Sequence, residues 1–340
     1  MRRAGPKPWF RRRRARFALG VAVITGIVAA GPRVRFEERW VEPELGDDLD
    51  AYLREAESDV PNLRPGDERE VVWLSPDQAQ TPLSIVYLHG FSADRHELEP
   101  LVSELGSEIG ANVYFARLRG HGRDGAAMAE ATVEDWFADV AEAVAIGGRI
   151  GERVVLMGTS TGGTLATWAA TRPEVRSRMS ALVLVSPNFH PKDRAARVFL
   201  YPWGGWVARA IAGDERCFTP ENDGQARHWT TCYPTSALST MMALVEHVRT
   251  MDPSAIDVPT LVLYSPDDSV VDATETLRAL AGFSGTDPQR YVVRSSSDPS
   301  RHVLAGDVLS PSSGDDVRRR IVSFLEEVGV SESDGLEGGR

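Results

Sequence analysis

The stretch RVVLMGTSTGGTLATWAA, residues 153–170, holds the pattern that decides the fold. Its apolar start predicts a buried β-strand, and its last seven residues predict a helix. Between them, Gly158 to Gly162 spell Gly-Thr-Ser-Thr-Gly, which is the pattern G-x-S-x-G with Ser160 at its centre. Such a serine is a nucleophile held above a sheet, a member of a phosphate-binding loop, or a plain turn residue.

The glycine spacing separates these interpretations. A phosphate-binding loop requires a lysine in G-x-x-x-x-G-K-[ST], and a dinucleotide fingerprint requires G-x-G-x-x-G; neither pattern fits. A nucleophile explains the glycines, because its backbone is strained and its neighbours leave no room for side chains. The following helix would also favour negative charge at its amino-terminal end. The five-residue pattern alone leaves a plain glycine-rich turn open.

Strand-like and helix-like segments alternate over residues 68–187 and again over 256–329. The strand-like segments are continuously apolar, as is typical of parallel strands covered on both faces. We therefore predict an α/β fold with a mostly parallel central sheet and helices on both faces. Residues 188–255 are rich in aromatics and carry no strand signal, which predicts a helical insertion over the sheet ends. Residues 36–67 form a linker and leading segment, and 330–340 a disordered tail.

A serine hydroxyl becomes a good nucleophile only with a base, and that base needs an acid to orient it. Of the seven histidines, only His302 follows the last predicted strand, in a loop before the terminal helix. The acid should lie between serine and histidine at the end of a strand, where SPDDSVVD supplies Asp267, Asp268 and Asp272. Asp272 is better placed to cap the next helix, and Asp298 is most simply a turn residue.

The order of Ser160, an acid and His302, with YLHGF early in the chain and RLRGHG after the next strand, resembles the α/β-hydrolase superfamily. It is most similar to the carboxylesterase and monoacylglycerol-lipase-like branch. The resemblance covers residues 68–328 and implies an α/β-hydrolase fold, with residues 188–255 as the cap.

The resemblance also implies roles for single residues. Members of that branch carry their acid in a pattern like G-x-x-D-x-V-V, which SPDDSVV matches with Ser265 in place of glycine. This alignment selects Asp268 over Asp267, and a register shift by one residue would reverse the choice. The backbone N–H groups of Phe91 and Thr161 are implied to form the oxyanion hole.

The implied activity is that of a serine hydrolase, which cleaves carboxylic esters through an acyl-enzyme, without a metal or organic cofactor. The aromatic residues of the insertion either line an apolar acyl pocket or form the cap's own core; they include Trp203, Trp206 and Trp229. We expect a carboxylesterase of small or medium acyl chains. The alternatives are a monoacylglycerol lipase or lysophospholipase, a thioesterase or amidase, and a non-catalytic binding protein of the same fold.

Charge divides the chain into two parts. The formal net charge is −11, yet residues 1–30 hold eight cations and no acid, and the remainder carries 30 cations against 49 acids. This acidic body disfavours nucleic acid and anionic lipid as partners. RRRRAR followed by FALGVAVITGIVAA has the layout of an export signal, so residues 1–35 predict a signal peptide or membrane anchor that contacts the membrane. The body would then lie outside the cytoplasm; a buried amino-terminal helix in a cytoplasmic protein is the alternative.

Two cysteines, Cys217 and Cys232, lie within the predicted insertion. In an oxidising compartment they would form a disulfide, and otherwise they would be buried free thiols. No CxxC pattern or metal-type histidine spacing accompanies them, so we predict no metal site.

Overall fold

The computed structural model describes residues 8–285 and 287–330. The predicted disordered tail, apart from its first residue, and the first seven residues of the predicted export segment therefore lie outside the described residues.

A seven-stranded sheet forms the centre of the protein, in the order β1-β3-β2-β4-β5-β8-β9. Only β1 runs antiparallel to its neighbour, which confirms the predicted mostly parallel sheet. The strands are β1 (Glu70–Val72), β2 (Thr81–Leu88), β3 (Asn112–Phe115), β4 (Gly151–Thr159), β5 (Met179–Val185), β6 (Glu215–Cys217), β7 (Cys232–Pro234), β8 (Thr260–Tyr264) and β9 (Gln289–Val292).

Helices cover both faces of the sheet, and most of them lie between strands in the chain. They are α1 (Pro8–Ala29), α2 (Leu49–Ser58), α3 (Glu99–Ile109), α4 (Gly125–Met128), α5 (Val133–Ile150), α6 (Thr161–Ala170), α7 (Pro173–Arg176), α8 (Gly204–Ala212), α9 (Asp223–His228), α10 (Ala237–Thr250), α11 (Ala273–Leu280) and α12 (Gly314–Glu327). Several of them begin at a short polar side chain that caps the first turn. Thr132 and Asp135 form a capping box for α5. Asp272 accepts a hydrogen bond from the Thr274 N–H and caps α11, as predicted.

Successive residues of the central strands belong to two different apolar cores. Val86 and Leu156 pack with side chains of α5, α6 and α10, whereas Ile85 and Val155 pack with those of α3 and α12. Side chains alternate across a strand, so this division shows that both faces of the sheet are buried. It also explains why the strand sequences are continuously apolar.

The insertion is mostly helical, but the prediction that it contains no strand was wrong. β6 and β7 pair antiparallel, with Cys217 opposite Cys232, and the two cysteines form a disulfide. Each strand is only three residues long, too short to show an alternating pattern. The last helix of the segment, α10, buries Met242 and Val245 in the main core, so this part packs as an integral layer of the fold.

The predicted export segment contains α1, whose end contacts the insertion. The Trp203 indole N–H donates to the Ile27 carbonyl at 3.1 Å, and the Trp203 backbone N–H donates to the Pro32 carbonyl at 3.0 Å. Among the helices in the part of the chain that the structure describes, none is long and apolar enough to cross a membrane. Export stays a prediction.

Replacing both cysteines, as Cys217→Ser with Cys232→Ser, should lower the free energy of unfolding. The two positions are 15 residues apart, and closing a loop of that length is worth about 3 kcal/mol. Urea unfolding of the double variant and the wild type measures this difference. Wild-type protein kept in reductant is the control and should match the variant; equal stability of all three samples would contradict the prediction.

Candidate active site

Ser160 lies in the turn between β4 and α6, where its φ is 52° and its ψ −115°. A positive φ is uncommon for a residue with a side chain and persists only when surrounding contacts enforce it. Those contacts come mainly from the end of β5. The Ser160 N–H donates to the Val185 carbonyl at 2.9 Å, and the Asn188 N–H donates to the Ser160 carbonyl at 3.0 Å.

The glycines beside this turn are required by close backbone contacts. A Cβ on Gly158 would lie 2.4 Å from the Gly162 carbonyl oxygen, and a Cβ on Gly162 would lie 2.1 Å from the Leu88 carbonyl oxygen. Both distances are far below a van der Waals contact, so any side chain would push the strand and the helix apart. The sequence pattern therefore reflects the packing of α6 onto the sheet.

His302 and Asp268 form a buried pair on the loops that follow β9 and β8. The His302 Nδ1 lies 2.8 Å from Asp268 Oδ2, and Asp268 Oδ1 accepts hydrogen bonds from the Val270 and Val271 N–H groups. Asp268 is buried, whereas Asp267 is exposed. The carboxylate facing His302 is thus that of Asp268. Because Nδ1 faces this carboxylate, Nε2 is the ring nitrogen that the pair does not use.

The loop that carries His302 is fixed from two sides. Asp298 Oδ2 accepts from the backbone N–H groups of His302 and Val303, at 2.9 and 2.8 Å. The Ser186 hydroxyl donates to the His302 carbonyl at 2.7 Å. Because Ser186 directly follows β5, the end of this strand holds the backbones of both Ser160 and His302. The predicted turn residue Asp298 therefore organises the loop of the histidine.

Opposing effects act on the imidazole. Burial by itself would lower the pKa of His302, but the charge and hydrogen bond of Asp268 raise it above its ordinary value. The carboxyl groups of Glu97 and Asp298 raise it further. A base with a raised pKa is a stronger proton acceptor in a proton transfer.

Glu97 is a residue of this site that the sequence reasoning missed. Its buried carboxyl accepts hydrogen bonds from the Gly90 N–H at 2.8 Å and the Tyr87 hydroxyl at 2.9 Å. A Cβ on Gly90 would contact both Glu97 Oε1 and the Ser160 Cβ, which places the three residues side by side. Burial raises the pKa of Glu97 to about 7. No motif marks this glutamate, because only the folding of its loop brings it next to Gly90 and Tyr87.

The predicted oxyanion donors lie in two segments next to Ser160. Thr161 is the first residue of α6, and Phe91 follows Gly90 in the loop after β2. Neither backbone N–H has an acceptor among the described residues. The Thr161 hydroxyl is buried and likewise lacks a hydrogen-bond partner there. These N–H groups are therefore free to receive a ligand oxygen.

Comparison with known proteins places the chain in a family. Residues 79–295 match the family described as serine aminopeptidases, S33, which is more than half of the chain. The chain belongs to this family of hydrolases. The matched part contains Ser160 and Asp268, and His302 lies just beyond it.

Individual relatives agree with this assignment. The thermostable monoacylglycerol lipase of Bacillus sp. (strain H-257) is 33% identical to the hydrolase over 89 residues, which cover 26% of this chain and 35% of the lipase. The match thus spans about a third of that relative's length.

Solved structures share the α/β-hydrolase fold. A chain from work on the metagenome-derived lipolytic enzymes LipS and LipT has a TM-score of 0.64 at 20% identity, over 78% of this chain and 99% of its own. The Paleococcus ferrophilus monoacylglycerol lipase has a TM-score of 0.56 at 19% identity, over 77% of this chain and 98% of its own. At these identities the likeness concerns the fold, which was predicted.

Two histidines near the site have structural contacts. His89 Nε2 accepts from the Leu118 N–H at 3.1 Å, so its Nδ1 carries the proton and donates to the Gly90 carbonyl at 2.8 Å. Both ring nitrogens of His89 are thus used in shaping the loop that carries Phe91. The His121 ring packs against those of His89 and Phe91.

The three predicted substrate-binding tryptophans lie in different places. Trp229 is buried with Ala93 and Val303, next to the loops that carry Phe91 and His302. Trp203 and Trp206 contact each other at the start of α8, where Trp206 is 65% exposed and Trp203 also contacts the end of α1. Among the described residues, no hydrogen bond or ring contact joins either of these two to Ser160 or His302.

The segment of the insertion around Trp229 runs along the loop after β2, and we call residues 228–233 the strap. Its Thr230 N–H donates to the Ser92 carbonyl at 2.7 Å, and its Tyr233 ring lies edge-on to Phe91 at 5.3 Å between centroids. The strap therefore covers the residue whose N–H is a predicted oxyanion donor. Tyr233 therefore lies next to the site. The sequence indicated this only through the high aromatic content of the insertion.

Changing Glu97→Gln in the hydrolase should alter how stability depends on pH. The carboxyl has a pKa of about 7 in the folded protein against 4.5 ordinarily, so its stabilising effect is complete below pH 4.5 and is lost as pH rises through 7. The neutral amide keeps an acceptor for Gly90. The variant should therefore gain stability relative to the wild type between pH 4.5 and 8, by about 3 kcal/mol.

Urea unfolding at several pH values measures this gain. The control is Glu104→Gln, which removes an exposed glutamate of α3 and should leave the pH dependence unchanged. A Glu97→Gln protein whose stability runs parallel to that of the wild type over this pH range would contradict the prediction.

Proposed function

We propose that the protein hydrolyses carboxylic esters through an acyl-enzyme, with Ser160 as nucleophile, His302 as base and Asp268 as the acid that orients the base. The observation that supports this most directly is the attachment of Ser160 and the paired His302 to the same end of β5. Family membership supports the hydrolytic chemistry.

In the proposed reaction, His302 Nε2 accepts the hydroxyl proton as the Ser160 Oγ bonds to the ester carbonyl carbon. The Phe91 and Thr161 N–H groups stabilise the oxyanion, each worth on the order of 3 kcal/mol of the barrier. The imidazolium then returns the proton to the leaving alcohol as the C–O bond breaks. Water, deprotonated by His302, attacks the acyl carbon, and the imidazolium returns this proton to the Ser160 Oγ as the acyl–oxygen bond breaks, which releases the acid and the free serine.

For the substrate we propose esters of small or medium acyl chains. The strap packs its aromatic rings, Trp229 and Tyr233, against the loops of the site, and such rings suit an apolar acyl group. The partial match to a monoacylglycerol lipase supports glycerol esters as the second candidate.

The Ser160→Ala variant should lose the hydrolysis of p-nitrophenyl butyrate by a factor of about 10⁴ or more, because the nucleophile is removed. Release of p-nitrophenol by the purified protein measures the rate. The adjacent residues Asp267 and Asp268 allow a matched test of which aspartate is the acid. Asp268→Asn should lower kcat by about 10⁴, whereas Asp267→Asn should stay near the wild-type rate. Full activity of Ser160→Ala, or equal losses in the two aspartate variants, would contradict the assigned roles.

A series of p-nitrophenyl esters from acetate to palmitate should give the highest kcat/KM at four to eight carbons, about 10-fold or more above palmitate. Monooleoylglycerol is the direct test of the second candidate. Because the family is described as serine aminopeptidases, an aminoacyl p-nitroanilide should be tested as a further substrate. A preference for palmitate or monooleoylglycerol would replace the first candidate by the second, and a preference for the anilide would exclude both.

A further inference from the structure

A second cluster of polar side chains lies beside the site, outside the proposed triad. Asp67 and Asp94 are buried, and His96 and His228 are half-buried. They come from three separate segments: Asp67 from the leading segment, Asp94 and His96 from the loop after β2, and His228 from the start of the strap. One oxygen or nitrogen atom from each lies within 4.8 Å of those of the other three.

Three of the four separations between these atoms lie in the range of a tetrahedral metal site, and the fourth, between His96 and Asp94, is a hydrogen-bond distance. His96 Nδ1 lies 3.0 Å from Asp94 Oδ1 and 3.6 Å from Asp67 Oδ1. His228 Nδ1 lies 3.5 Å from Asp67 Oδ1 and 3.3 Å from Asp94 Oδ2. Zinc bonds to nitrogen and oxygen are about 2.0–2.2 Å, so the ligand atoms of a tetrahedral zinc stand about 3.3–3.6 Å apart.

Contacts with neighbouring groups limit the orientations of these side chains. His96 Nε2 lies 3.3 Å from Glu99 Oε2 without a hydrogen bond between them, and a small shift of the carboxylate would make Glu99 the outer partner that a metal-binding histidine usually has. Arg64 Nε donates to Asp67 Oδ2 at 2.6 Å, so Oδ1 of the same carboxylate faces the two imidazoles. The His96 and His228 rings stack at 3.9 Å between centroids.

The net charge of the cluster and its neighbours is negative, as a site for a divalent cation requires. The cluster and its ion-pair partners hold four carboxylates and two guanidinium groups: Asp67, Asp94, Glu70, Glu99, Arg64 and Arg95. With both imidazoles neutral the net charge is two negative units, which one divalent ion balances.

We propose that Asp67, Asp94, His96 and His228 bind one Zn²⁺ ion. Two imidazole nitrogens and two carboxylate oxygens are ligands that zinc accepts, whereas calcium and magnesium prefer oxygen alone. Four protein ligands close the coordination sphere, so the ion is structural and takes no part in ester cleavage.

The bound ion would fasten the strap to the loop of the proposed oxyanion hole. The strap and this loop run past each other in opposite directions: His228 contacts Asp94, Trp229 belongs to the same apolar cluster as Ala93, and the Thr230 N–H donates to the Ser92 carbonyl. Phe91 is the next loop residue. Zinc at the far end of this pairing would therefore hold the Phe91 backbone in place.

The test is a titration of the untagged full chain, freed of metal by EDTA and dialysis, with zinc chloride in the presence of a chromophoric chelator. We expect one equivalent of Zn²⁺ per chain. His96→Gln combined with His228→Gln should weaken binding by more than about 100-fold, since loss of an outer partner alone costs 10–100-fold. At free zinc about 100 times the dissociation constant, the melting temperature of the wild type should rise by about 4 °C.

The matched control is His247→Gln, because His247 has the same 25% exposed side chain as His96 and also pairs with a carboxylate, that of Glu38. It should bind zinc like the wild type. The single variant Glu99→Gln, which keeps all four ligands, should bind 10–100-fold more weakly. It provides a second measurement if circular dichroism shows that the double variant does not fold.

Three outcomes would overturn the proposal: no stoichiometric Zn²⁺ in the wild type, undiminished binding in a folded double variant, or tighter binding of calcium chloride than of zinc chloride. Ser160→Ala should bind zinc like the wild type. The result is therefore independent of whether the protein cleaves esters.

Discussion

The hydrogen bonds between the Ser160 backbone and the end of β5 are the constraint on which the rest of the site depends. They hold a residue with a side chain at a φ of 52°, a conformation that has to be enforced by its surroundings. The Ser186 hydroxyl extends the same strand end to the His302 carbonyl. The proposed nucleophile and base are thus positioned by one parallel strand, whose carboxyl end lies where α/β sheets place their sites.

The site also contains buried charge that a protein selected for stability alone would avoid. Asp268 lies in a buried position but is satisfied by two backbone N–H groups and the His302 ring. Glu97 has fewer partners, and burial raises its pKa to about 7. Its contacts with Gly90 and Tyr87 nevertheless fix the loop that leads to Phe91. Local cost of this kind is typical where a fold supports a reactive site.

The insertion contributes to the site through the strap more than through its exposed aromatic surface. Trp229 and Tyr233 pack on the loops that carry Phe91 and His302, and Thr230 adds a backbone hydrogen bond to Ser92. The exposed Trp206 lies apart, on α8 near the end of α1. The disulfide joins Cys232 of the strap to Cys217 of β6, and it reduces the number of unfolded conformations that this segment can adopt.

The sequence by itself determined the fold and indicated Ser160 and His302, because continuous apolar strands and a strand-glycine-serine-glycine-helix pattern are local signals. The choice of Asp268 over Asp267 came from the resemblance to the hydrolases. The tertiary structure decided what depends on contacts between distant segments. It paired Asp268 with His302, brought Glu97 next to Ser160, separated Trp229 from Trp206, and formed the short strands β6 and β7 of the insertion. Residues 67, 94, 96 and 228 follow no spacing rule, so only folding could bring their side chains together.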